Sequence, residues 1–557
     1  MGKIQPDSGQ TARADGFAHV WSALEEASQK ARDRRIADLF SGDNETHSRF
    51  HQWSATFDDL LLDWSKTNID RETRALLFQL AECAGVEGRR EQMFAGEFIN
   101  NTDNRPALHT ALRNVSGTPV MVNGEDVMPD VIATRDRLGE FAEQVRSGTV
   151  RGASGKAFTD VVHIGIGGSQ LGPEMACIAL RKFHDGPRVH FLANVDGAHA
   201  ADILGGIDPE TTLAIVASKS FTTPETMTNA ATVRDWLLPV TGNDGIGLHF
   251  VAISTADDQV AAFGIPPERT FGFADWVGGR LSMWGPIGLP VVLAIGRRSF
   301  GDFLAGGHAM DLHFRDAPSE QNLPMILALT GIWHTNFCGY SSRTIMPYEQ
   351  RLNRFAAFAQ QVDMESNGKS RSLDGSRVRI DTGPVVWGEP GTNAQHSVAQ
   401  LLHQGTHIVP VEFLVGRRGG SSLGHAHHHM LVANCIAQAE ALMVGRSFDE
   451  TVRLMEKRGL SGAELRLQAS HRVFEGNRPS ITLVYDCLDP GTLGRLVALY
   501  EHRVFVEAAI WGINCFDQWG VELGKELARD LLPFVESGRI PEGRDSSTQG
   551  LLKTIQG

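Results

Sequence analysis

The sequence predicts an α/β protein of more than one domain, with a parallel sheet that helices cover on both faces. Three observations lead to this prediction. The chain has 557 residues, enough for two or more domains. Apolar strands alternate with helical stretches between residues 158 and 253, as in a parallel sheet, and a second unit begins near residue 289. The content of 42% hydrophobic and 21% charged residues is typical of a globular protein.

The net charge of −14 argues against two broad function classes. A strongly acidic chain is poorly suited to bind the phosphate backbone of nucleic acids or an anionic membrane surface. A local basic pocket for an anionic metabolite remains open.

The cysteines and the start of the chain predict a cytoplasmic protein. The six cysteines are scattered without a CxxC pair, which favours free thiols in a reducing compartment over a disulfide frame or a zinc site. The first residues lack the apolar core of a signal peptide, and Pro6 stands where a myristoylation motif requires Ser or Thr. No apolar run approaches the roughly 18 residues that span a bilayer.

Residues 1–90 are polar and largely helical in pattern, and nothing in them suggests chemistry. A buried strand is predicted at 158–166, followed by the loop Gly165-Ile-Gly-Gly-Ser-Gln-Leu-Gly172. Glycines at a strand-to-helix turn let backbone amides approach an anion or a sugar, although a tight structural turn also needs them. Because Gln170 stands where a dinucleotide site has its third glycine, we do not predict NAD.

Three further strands are predicted at 189–194, 212–218 and 249–253. The loop Ser218-Lys-Ser-Phe-Thr-Thr-Pro-Glu-Thr226 follows the middle one. Like the glycine loop, it lies at the carboxyl end of a strand, where parallel sheets bind their ligands.

The loop 218–226 predicts a phosphate site. Thr223 can cap a helix that begins with Pro224. Backbone amides at that helix start, the hydroxyls of Ser218, Ser220, Thr222 and Thr223, and Lys219 together suit a phosphate. The alternative is a well-capped helix with surplus hydroxyls.

The stretch Asp275 to Gly288 contains a candidate oxyanion group. Gly278 and Gly279 permit a close backbone approach, and Arg280 would hold a planar positive fork toward an oxyanion. A surface salt bridge is the alternative interpretation of the arginine.

A helix is predicted over 347–365, beginning near Pro347 and stopped by Asn367 and Gly368, which tolerate the left-handed conformation. Glu365 then falls in the last turn, where the negative end of the helix dipole disfavours its charged form. The position suits a general base, whereas the alternative is a solvated acid beside a turn.

The second unit contains a buried helix at 323–333 and strands at 378–380 and 384–387. His396 comes directly before a predicted helix over 397–404. A histidine at such a junction can act as a cap or exchange protons near neutrality.

Two stretches near the C-terminus complete the set. His425-Ala-His-His-His429 has no carboxylate at metal-ligand spacing, so a solvated loop is favoured over a zinc site, and we expect no metal. If 511–525 is helical, Gln518 and Lys525 lie about two turns apart on one face.

These motifs, taken together and in this order from about residue 94 to 553, resemble the glucose-6-phosphate isomerase (phosphoglucose isomerase) family. They are Gly165-Ile-Gly-Gly-Ser169, Ser218-Lys-Ser-Phe-Thr-Thr223, Val277-Gly-Gly-Arg280, Gln361-Val-Asp-Met-Glu-Ser-Asn-Gly-Lys369, Gly391-Thr-Asn-Ala-Gln-His396 and Phe516-Asp-Gln-Trp-Gly-Val-Glu-Leu-Gly-Lys525.

The resemblance implies two α/β/α sandwich (SIS) domains with mainly parallel central sheets. It implies a helical N-terminal segment at 1–129, a first, small domain at 130–290, and a second, large domain with a C-terminal arm at 291–557. It further implies a homodimer without a cofactor that reversibly converts glucose 6-phosphate to fructose 6-phosphate in glycolysis and gluconeogenesis.

The resemblance also implies roles for individual residues. Glu365 would move a proton between C2 and C1, Arg280 would stabilise the enediolate, and His396, reaching over from the partner subunit, and Lys525 would serve ring opening. The remaining residues would bind the substrate: Ser218, Ser220 and Thr223, with Lys219 nearby, at the phosphate, and Gly168, Ser169, Gln361 and Gln518 at the sugar.

Four positions depart from the family's usual residues: Leu281 replaces an aromatic residue, Ser220 a threonine, Gln170 an aspartate and Cys515 a serine. The first could loosen the packing that aims Arg280, and Gln170 could alter sugar contacts.

Two alternatives stay open at this point. A sugar-phosphate sensor would need the phosphate site but not the base, so the presence of Glu365, Arg280, His396 and Lys525 together argues against it. An enzyme that also accepts mannose 6-phosphate, which differs only at C2, is the second alternative.

Overall fold

The computed structural model describes residues 8–43 and 48–556, with side chains from residue 15 onward. The predicted features of the chain start, including Pro6, lie outside the described residues.

The strands are β1 (Ser54–Phe57), β2 (Leu60–Asp63), β3 (Met121–Val122), β4 (Glu125–Asp126), β5 (Asp160–Ile164), β6 (Arg188–Leu192), β7 (Thr212–Ala217), β8 (Phe250–Ile253), β9 (Thr270–Phe271), β10 (Ser342–Tyr348), β11 (Val385–Trp387), β12 (Val411–Gly416) and β13 (Ser480–Tyr485).

The helices are α1 (Ser8–Arg32), α2 (Arg49–Gln52), α3 (Arg71–Cys83), α4 (Val86–Phe94), α5 (His109–Leu112), α6 (Met128–Arg146), α7 (Leu171–Ala179), α8 (Gly197–Leu204), α9 (Pro224–Gly245), α10 (Asp257–Phe263), α11 (Leu289–Asp316), α12 (Leu323–Ile332), α13 (Phe355–Gln360), α14 (Gly391–Gln395), α15 (Ala399–Gln404), α16 (His425–Val444), α17 (Phe448–Glu456), α18 (Gly462–Ser470), α19 (Pro490–Trp511), α20 (Glu522–Ser537) and α21 (Ser546–Gln556). Two π-helical turns, Trp333–Phe337 and Gln361–Glu365, continue α12 and α13.

The first sheet has the strand order β6-β5-β7-β8-β9, and every pairing in it is parallel. The buried side chains of β5, β7 and β8 form an apolar core with α8 and α9. The chain runs from β5 outward to β6 and then returns across β5 to β7. The strand order therefore reverses between β5 and β7, which makes their carboxyl ends the expected ligand position.

The second sheet has the order β1-β2-β13-β12-β10-β11. Its central pairings are parallel, whereas β2 pairs antiparallel with β13 and with β1. The two mainly parallel sheets confirm the predicted α/β class. The N-terminal segment is not only helical, because its hairpin β1–β2 extends the second sheet.

The predicted strands of the first sheet are confirmed to within two residues at each end. In the second unit, 384–387 is confirmed as β11, but 378–380 is not a strand. The predicted helix over 347–365 is wrong in its first half: Pro347 lies inside β10, and the helix begins only at Phe355.

In the C-terminal part, one further prediction is wrong and one condition is not met. Residues 425–429 are the first turn of α16, not a loop. The stretch 511–525 is not one helix, because Gly512 ends α19 with φ 66° and α20 begins only at Glu522. Residues 516–557 form a compact unit of their own, with α20 and α21.

Helices α11 and α19 pack backbone to backbone through glycines. A Cβ on Gly306 would lie 1.9 Å from the carbonyl oxygen of Gly491, and one on Gly494 would lie 2.1 Å from that of Phe303. Both distances are far below van der Waals contact, so this helix pair requires residues without side chains. Within the described residues, no helix combines the length and apolar character needed to cross a membrane.

Replacing Gly494 with Ala should destabilise the protein by about 1–3 kcal/mol, because the new methyl group must push two helix backbones apart. The midpoint of urea unfolding, followed by circular dichroism, measures the loss. Gly301→Ala is the control: it lies in α11, the helix that α19 packs against, but its Cβ would meet nothing within 4 Å. This variant should be neutral or slightly more stable, by up to about 1 kcal/mol. Equal midpoints for the two variants would contradict the packing argument.

Candidate active site

The glycine loop and the hydroxyl loop lie side by side at the carboxyl ends of β5 and β7. These strands are neighbours, with Ile164 opposite Val216. A Cβ on Gly165 would lie 3.2 Å from the carbonyl oxygen of Ala217, so the two chain segments touch where they leave the sheet. The predicted position of both loops is confirmed.

The hydroxyls of the second loop pair with one another. Ser218 Oγ lies 3.1 Å from Thr223 Oγ1, and Ser220 Oγ lies 2.7 Å from Thr222 Oγ1. Thr223 is the residue before α9, as predicted, but its side chain makes no capping hydrogen bond. The predicted cap is therefore wrong, and the Thr223 hydroxyl faces Ser218 instead.

Phe221 fixes the shape of this loop. Its φ is +53°, which is uncommon for a bulky residue and indicates local strain. The side chain is buried and packs edge-to-face on Phe263 at 5.7 Å, which holds the conformation in place. The carbonyl of Lys219 accepts hydrogen bonds from the amide and hydroxyl of Thr255 and from the hydroxyl of Ser254.

Lys219 links the hydroxyl loop to the segment that leads to Arg280. Its Nζ lies 2.9 Å from the carboxylate of Asp275 and 5.8 Å from the centre of the Phe273 ring. The hydrogen bond from Lys219 lowers the pKa of Asp275. Both charged side chains are partly exposed, so the ammonium group is accessible to an anion.

The glycine loop contacts the Arg280 loop without any intervening side chain. A Cβ on Gly168 would lie 2.2 Å from the carbonyl carbon of Gly279 and 2.6 Å from the amide nitrogen of Arg280. A Cβ on Gly167 would lie 3.3 Å from the Gln361 side-chain amide. The backbone of the glycine loop thus meets two other predicted site segments.

His163, a residue of β5, holds the glycine loop through a hydrogen bond. No sequence pattern identifies this role. Its Nε2 lies 2.7 Å from the carbonyl oxygen of Ser169, and burial lowers its pKa to about 4. The imidazole is therefore neutral and donates its Nε2 proton to Ser169, which fixes the turn.

Arg280 is buried at the meeting point of three segments. Its Nε donates to Ser366 Oγ at 2.6 Å, and its Nη2 donates to the carbonyl oxygen of Cys515. Its Nη1 lies 3.6 Å from the Glu365 carboxylate. The Arg280 side chain is 1% exposed, whereas that of Glu365 is 22% exposed. The alternative interpretation of Arg280, a surface salt bridge, is therefore wrong, because this guanidinium is buried and held by hydrogen bonds in the interior.

Glu365 is the last residue of the π-helical turn, which confirms its predicted place in the final turn. π-helical turns are rare and often occur at functional sites. Neither Asn367 nor Gly368 has a positive φ, so the predicted left-handed stop is wrong. The ammonium of Lys369 ends the helix instead, donating to the carbonyls of Glu365, Ser366 and Asn514 at 2.9–3.1 Å.

The positive charges of Lys369 and Arg280 therefore lie at this helix end. They oppose the negative end of the helix dipole, on which the sequence-based argument about Glu365 depends. Lys369 and Ser366 belong to the predicted motif, but no role was assigned to them. Together the contacts place a partly exposed carboxylate next to a fixed guanidinium and close to two backbone loops. This arrangement suits proton transfer beside a developing oxyanion.

The segment that contains His396 packs at the end of β10, whereas the segment that contains Glu365 is held at its start. Asp363, two residues before Glu365, pairs with Arg343 at the start of β10, whereas α14 packs on Tyr348 at its end, with Gln395 donating to the Tyr348 hydroxyl. Arg343 and Tyr348 are separated by roughly 16 Å of strand. His396, which follows α14, is exposed, and among the described residues it makes no hydrogen bond or ion pair with Glu365.

Gln518 and Lys525 belong to the unit 516–557. Gln518 precedes a short 3₁₀ turn, and Lys525 lies in α20 with its Nζ 3.2 Å from Glu522. They do not share one helix face, because the helix begins between them.

No group of three or more metal-ligating side chains is arranged around a common point in residues 8–43 and 48–556. The histidines of 425–429 are mostly exposed at the start of α16. His425 and His429 stack at 5.7 Å, and His428 contacts the Arg417 carbonyl at 3.0 Å.

Three of the positions that depart from the family pattern lie next to Arg280 or in the glycine loop. Leu281 is buried beside Arg280, and Gln170 donates to Glu174, which also pairs with Arg354. Burial raises the pKa of the Cys515 thiol to about 11, and its backbone carbonyl rather than its side chain holds Arg280.

The family model described as phosphoglucose isomerase matches residues 63–552. Among curated proteins, the glucose-6-phosphate isomerase of Brucella ovis is 58% identical over 526 residues, covering 94% of this chain and 95% of that protein. The glucose-6-phosphate isomerase of Chelativorans sp. is 56% identical over 539 residues, covering 97% and 98%.

Solved structures give the same result. The crystal structure of a glucose-6-phosphate isomerase from Chlamydia trachomatis superposes with a TM-score of 0.81 at 32% sequence identity. The match covers 96% of this chain and 98% of that one.

Proposed function

The chain belongs to the phosphoglucose isomerase family and reversibly converts glucose 6-phosphate to fructose 6-phosphate; from this premise we propose how its own residues carry out the reaction. The reaction is an aldose–ketose isomerisation and serves glycolysis and gluconeogenesis. The contact that carries the proposal is the pairing of Glu365 with the buried Arg280.

Glu365 is the base. It takes the proton from C2 of the open-chain aldose and returns it to C1, while O1 of the enediolate gains the proton that the C2 hydroxyl loses. The electron pair therefore shifts within the substrate, and no net redox agent is needed. One carboxylate performs both transfers because C1 and C2 are adjacent. Arg280 stabilises the negative oxygen of the enediolate, and its fixed hydrogen bonds to Ser366 and Cys515 mean that it does not reorganise during the reaction.

The hydroxyl loop binds the phosphate. Ser218, Ser220 and Thr223, with Lys219 nearby, supply hydroxyls and charge at the start of α9. Binding energy at this remote group orients the reacting carbons. Gly168, Ser169 and Gln361, together with Gln518, line the sugar, and the contact of Gly167 with Gln361 supports this grouping.

His396 and Lys525 open the sugar ring. We place His396 in the site of the partner subunit of a homodimer. Its exposure and its distance from Glu365 along β10 support this assignment.

The domain division at 1–129, 130–290 and 291–557 remains part of the proposal. It is supported by the first sheet, whose strands all lie between residues 160 and 271, and by β1–β2, through which the N-terminal segment joins the second sheet. A cytoplasmic location is supported by the six cysteines, all of which are free thiols.

Replacing Glu365 with Gln should lower kcat by about 10²–10⁴-fold, because the amide cannot accept the C2 proton. A coupled assay of fructose 6-phosphate formation, with EDTA present, measures the loss. Substrate should still protect the variant against heat, and Glu456→Gln, an exposed carboxylate on α17, should leave turnover unchanged. Substrate binding without turnover in the natural protein would overturn the enzyme assignment and favour a sugar-phosphate sensor.

Replacing Gly168 with Ala should lower kcat/KM by about 100-fold, because the methyl group displaces the Arg280 backbone by roughly 1 Å. The control is Gly278→Ala, whose Cβ would meet nothing within 4 Å. The same coupled assay compares the two variants. If Gly168→Ala kept full activity, the contact between the two loops would not matter for catalysis.

Mixing the inactive variants His396→Ala and Glu365→Gln should restore activity if the histidine acts across the dimer. Random exchange gives half mixed dimers, each with one complete site of two, so about a quarter of the natural activity returns. Subunits are unfolded and refolded together, and each variant refolded alone serves as the control. Activity that stays at the level of the single variants would mean that His396 acts within its own chain.

A further inference from the structure

We infer that the buried ion pair Arg343–Glu507 is the positioning pair for Glu365. This inference rests on the proposed role of Glu365 as the base. The pair does not touch Glu365 itself. It holds the residues on either side of it.

The two flanking residues are Asp363 and Asn367. Arg343 Nη2 donates to the Asp363 carboxylate, and Asn367 Nδ2 donates to the Val504 carbonyl at 3.1 Å and to Glu507 Oε2 at 3.4 Å. Glu365 stands midway between them in the sequence. Both ends of the segment are thus fixed to one ion pair.

The ion pair itself is rigid. Arg343 Nη1 and Nη2 donate to the two oxygens of Glu507 at 2.7 and 3.0 Å, the bidentate geometry that gives directional as well as charge specificity. It joins β10 to α19, two elements of the core of the second unit. The Glu507 side chain is fully buried, and that of Arg343 is 5% exposed.

The surrounding backbone leaves room for this pair. A Cβ on Gly331 in α12 would lie 2.4 Å from Glu507 Oε1 and 2.8 Å from Arg343 Nη1. Only glycine can occupy that position without displacing the pair. The neighbouring cavity has a volume of about 10 Å³, room for roughly one water molecule.

The pair is the centre of a larger buried network. Arg503 donates to Glu412 at 2.6 Å and to Glu507 at 3.1 Å, and Tyr500 donates to Glu412 at 2.9 Å. Three carboxylates thus share two guanidinium groups. Burial raises the pKa of Asp363 to about 7, opposed by Arg343 and reinforced by Glu507. Burial likewise raises the pKa of Glu412 to about 7.

Glu365 needs such support because its own contacts are few. Its carboxylate is partly exposed and lies 3.6 Å from Arg280, longer than a hydrogen bond. It also ends a π-helical turn, a local geometry that is often found at functional sites. The anchors on both sides determine where the carboxylate points.

Replacing Glu507 with Gln tests this inference, because the amide nitrogen would face donors of Arg343 or Asn367. We expect kcat to fall by about 10–100-fold while KM changes less than about two-fold, since the phosphate loop follows β7 of the first sheet whereas the pair joins β10 of the second sheet to α19. The matched control is Glu412→Gln. It removes a similarly buried carboxylate of the same network, but Glu412 is not one of the residues that hold Asp363 and Asn367. It should lower the melting temperature without lowering kcat.

A second readout reports the position of the base directly. With glucose 6-phosphate deuterated at C2, the fraction of deuterium that reaches C1 of fructose 6-phosphate can be measured by NMR. A misplaced carboxylate exposes the transferred deuteron to water, so retention should fall in Glu507→Gln and stay unchanged in Glu412→Gln. Asn367→Ala, which removes no charge, should show the same loss of kcat and retention if Glu507→Gln does not fold.

The outcomes separate this inference from the proposed function. If Glu365→Gln is inactive but Glu507→Gln and Asn367→Ala keep natural kcat and deuterium retention, the positioning role is overturned and the base assignment stands. If Glu365→Gln is fully active, the base assignment fails first. If Glu412→Gln lowers kcat as much as Glu507→Gln, the network is only structural.

Discussion

The buried guanidinium of Arg280 joins the parts of the site that lie far apart in the sequence. The backbone of Arg280 contacts Gly168, in the loop that follows β5 of the first sheet. The Nε of its side chain donates to Ser366, and Nη2 donates to the carbonyl of Cys515. A buried guanidinium needs acceptors for its N–H groups, so the segments of Ser366 and Cys515 are constrained by the same group. Shifting either of them would leave a donor unsatisfied.

The first sheet and its two loops were predictable because local chemistry determines them. Continuous apolar strands, glycines after β5 and hydroxyls after β7 are signals that need no knowledge of distant contacts. The second unit was less predictable. The local signal at Pro347 predicts the start of a helix, but this residue lies in β10, whose conformation is determined by pairing with β12 on one side and β11 on the other. Tertiary pairing overrode a local signal there.

The errors near Glu365 have a common cause. The propensity of Asn367 and Gly368 for the left-handed conformation predicts that they stop the helix. In the structure, Lys369 ends the helix instead by donating to the carbonyls of Glu365 and Ser366. Lys369 also donates to the carbonyl of Asn514, and Arg343 pairs with Glu507; both contacts join residues far apart in the sequence, so no local pattern signals them. The roles expected for Gln518 and Lys525 depend only on the family motif, because the shared helix face that their spacing suggests does not form.

The paired hydroxyls of the loop 218–223 have a kinetic consequence. Each pair contains two O–H groups, and one is enough for the bond within the pair. The second proton of each pair can therefore rotate toward an arriving anion without breaking the existing bond. Hydroxyl rotation takes picoseconds to nanoseconds, far faster than diffusional encounter. The hydroxyls can therefore turn toward an anion as it arrives, and the backbone of the loop does not have to move.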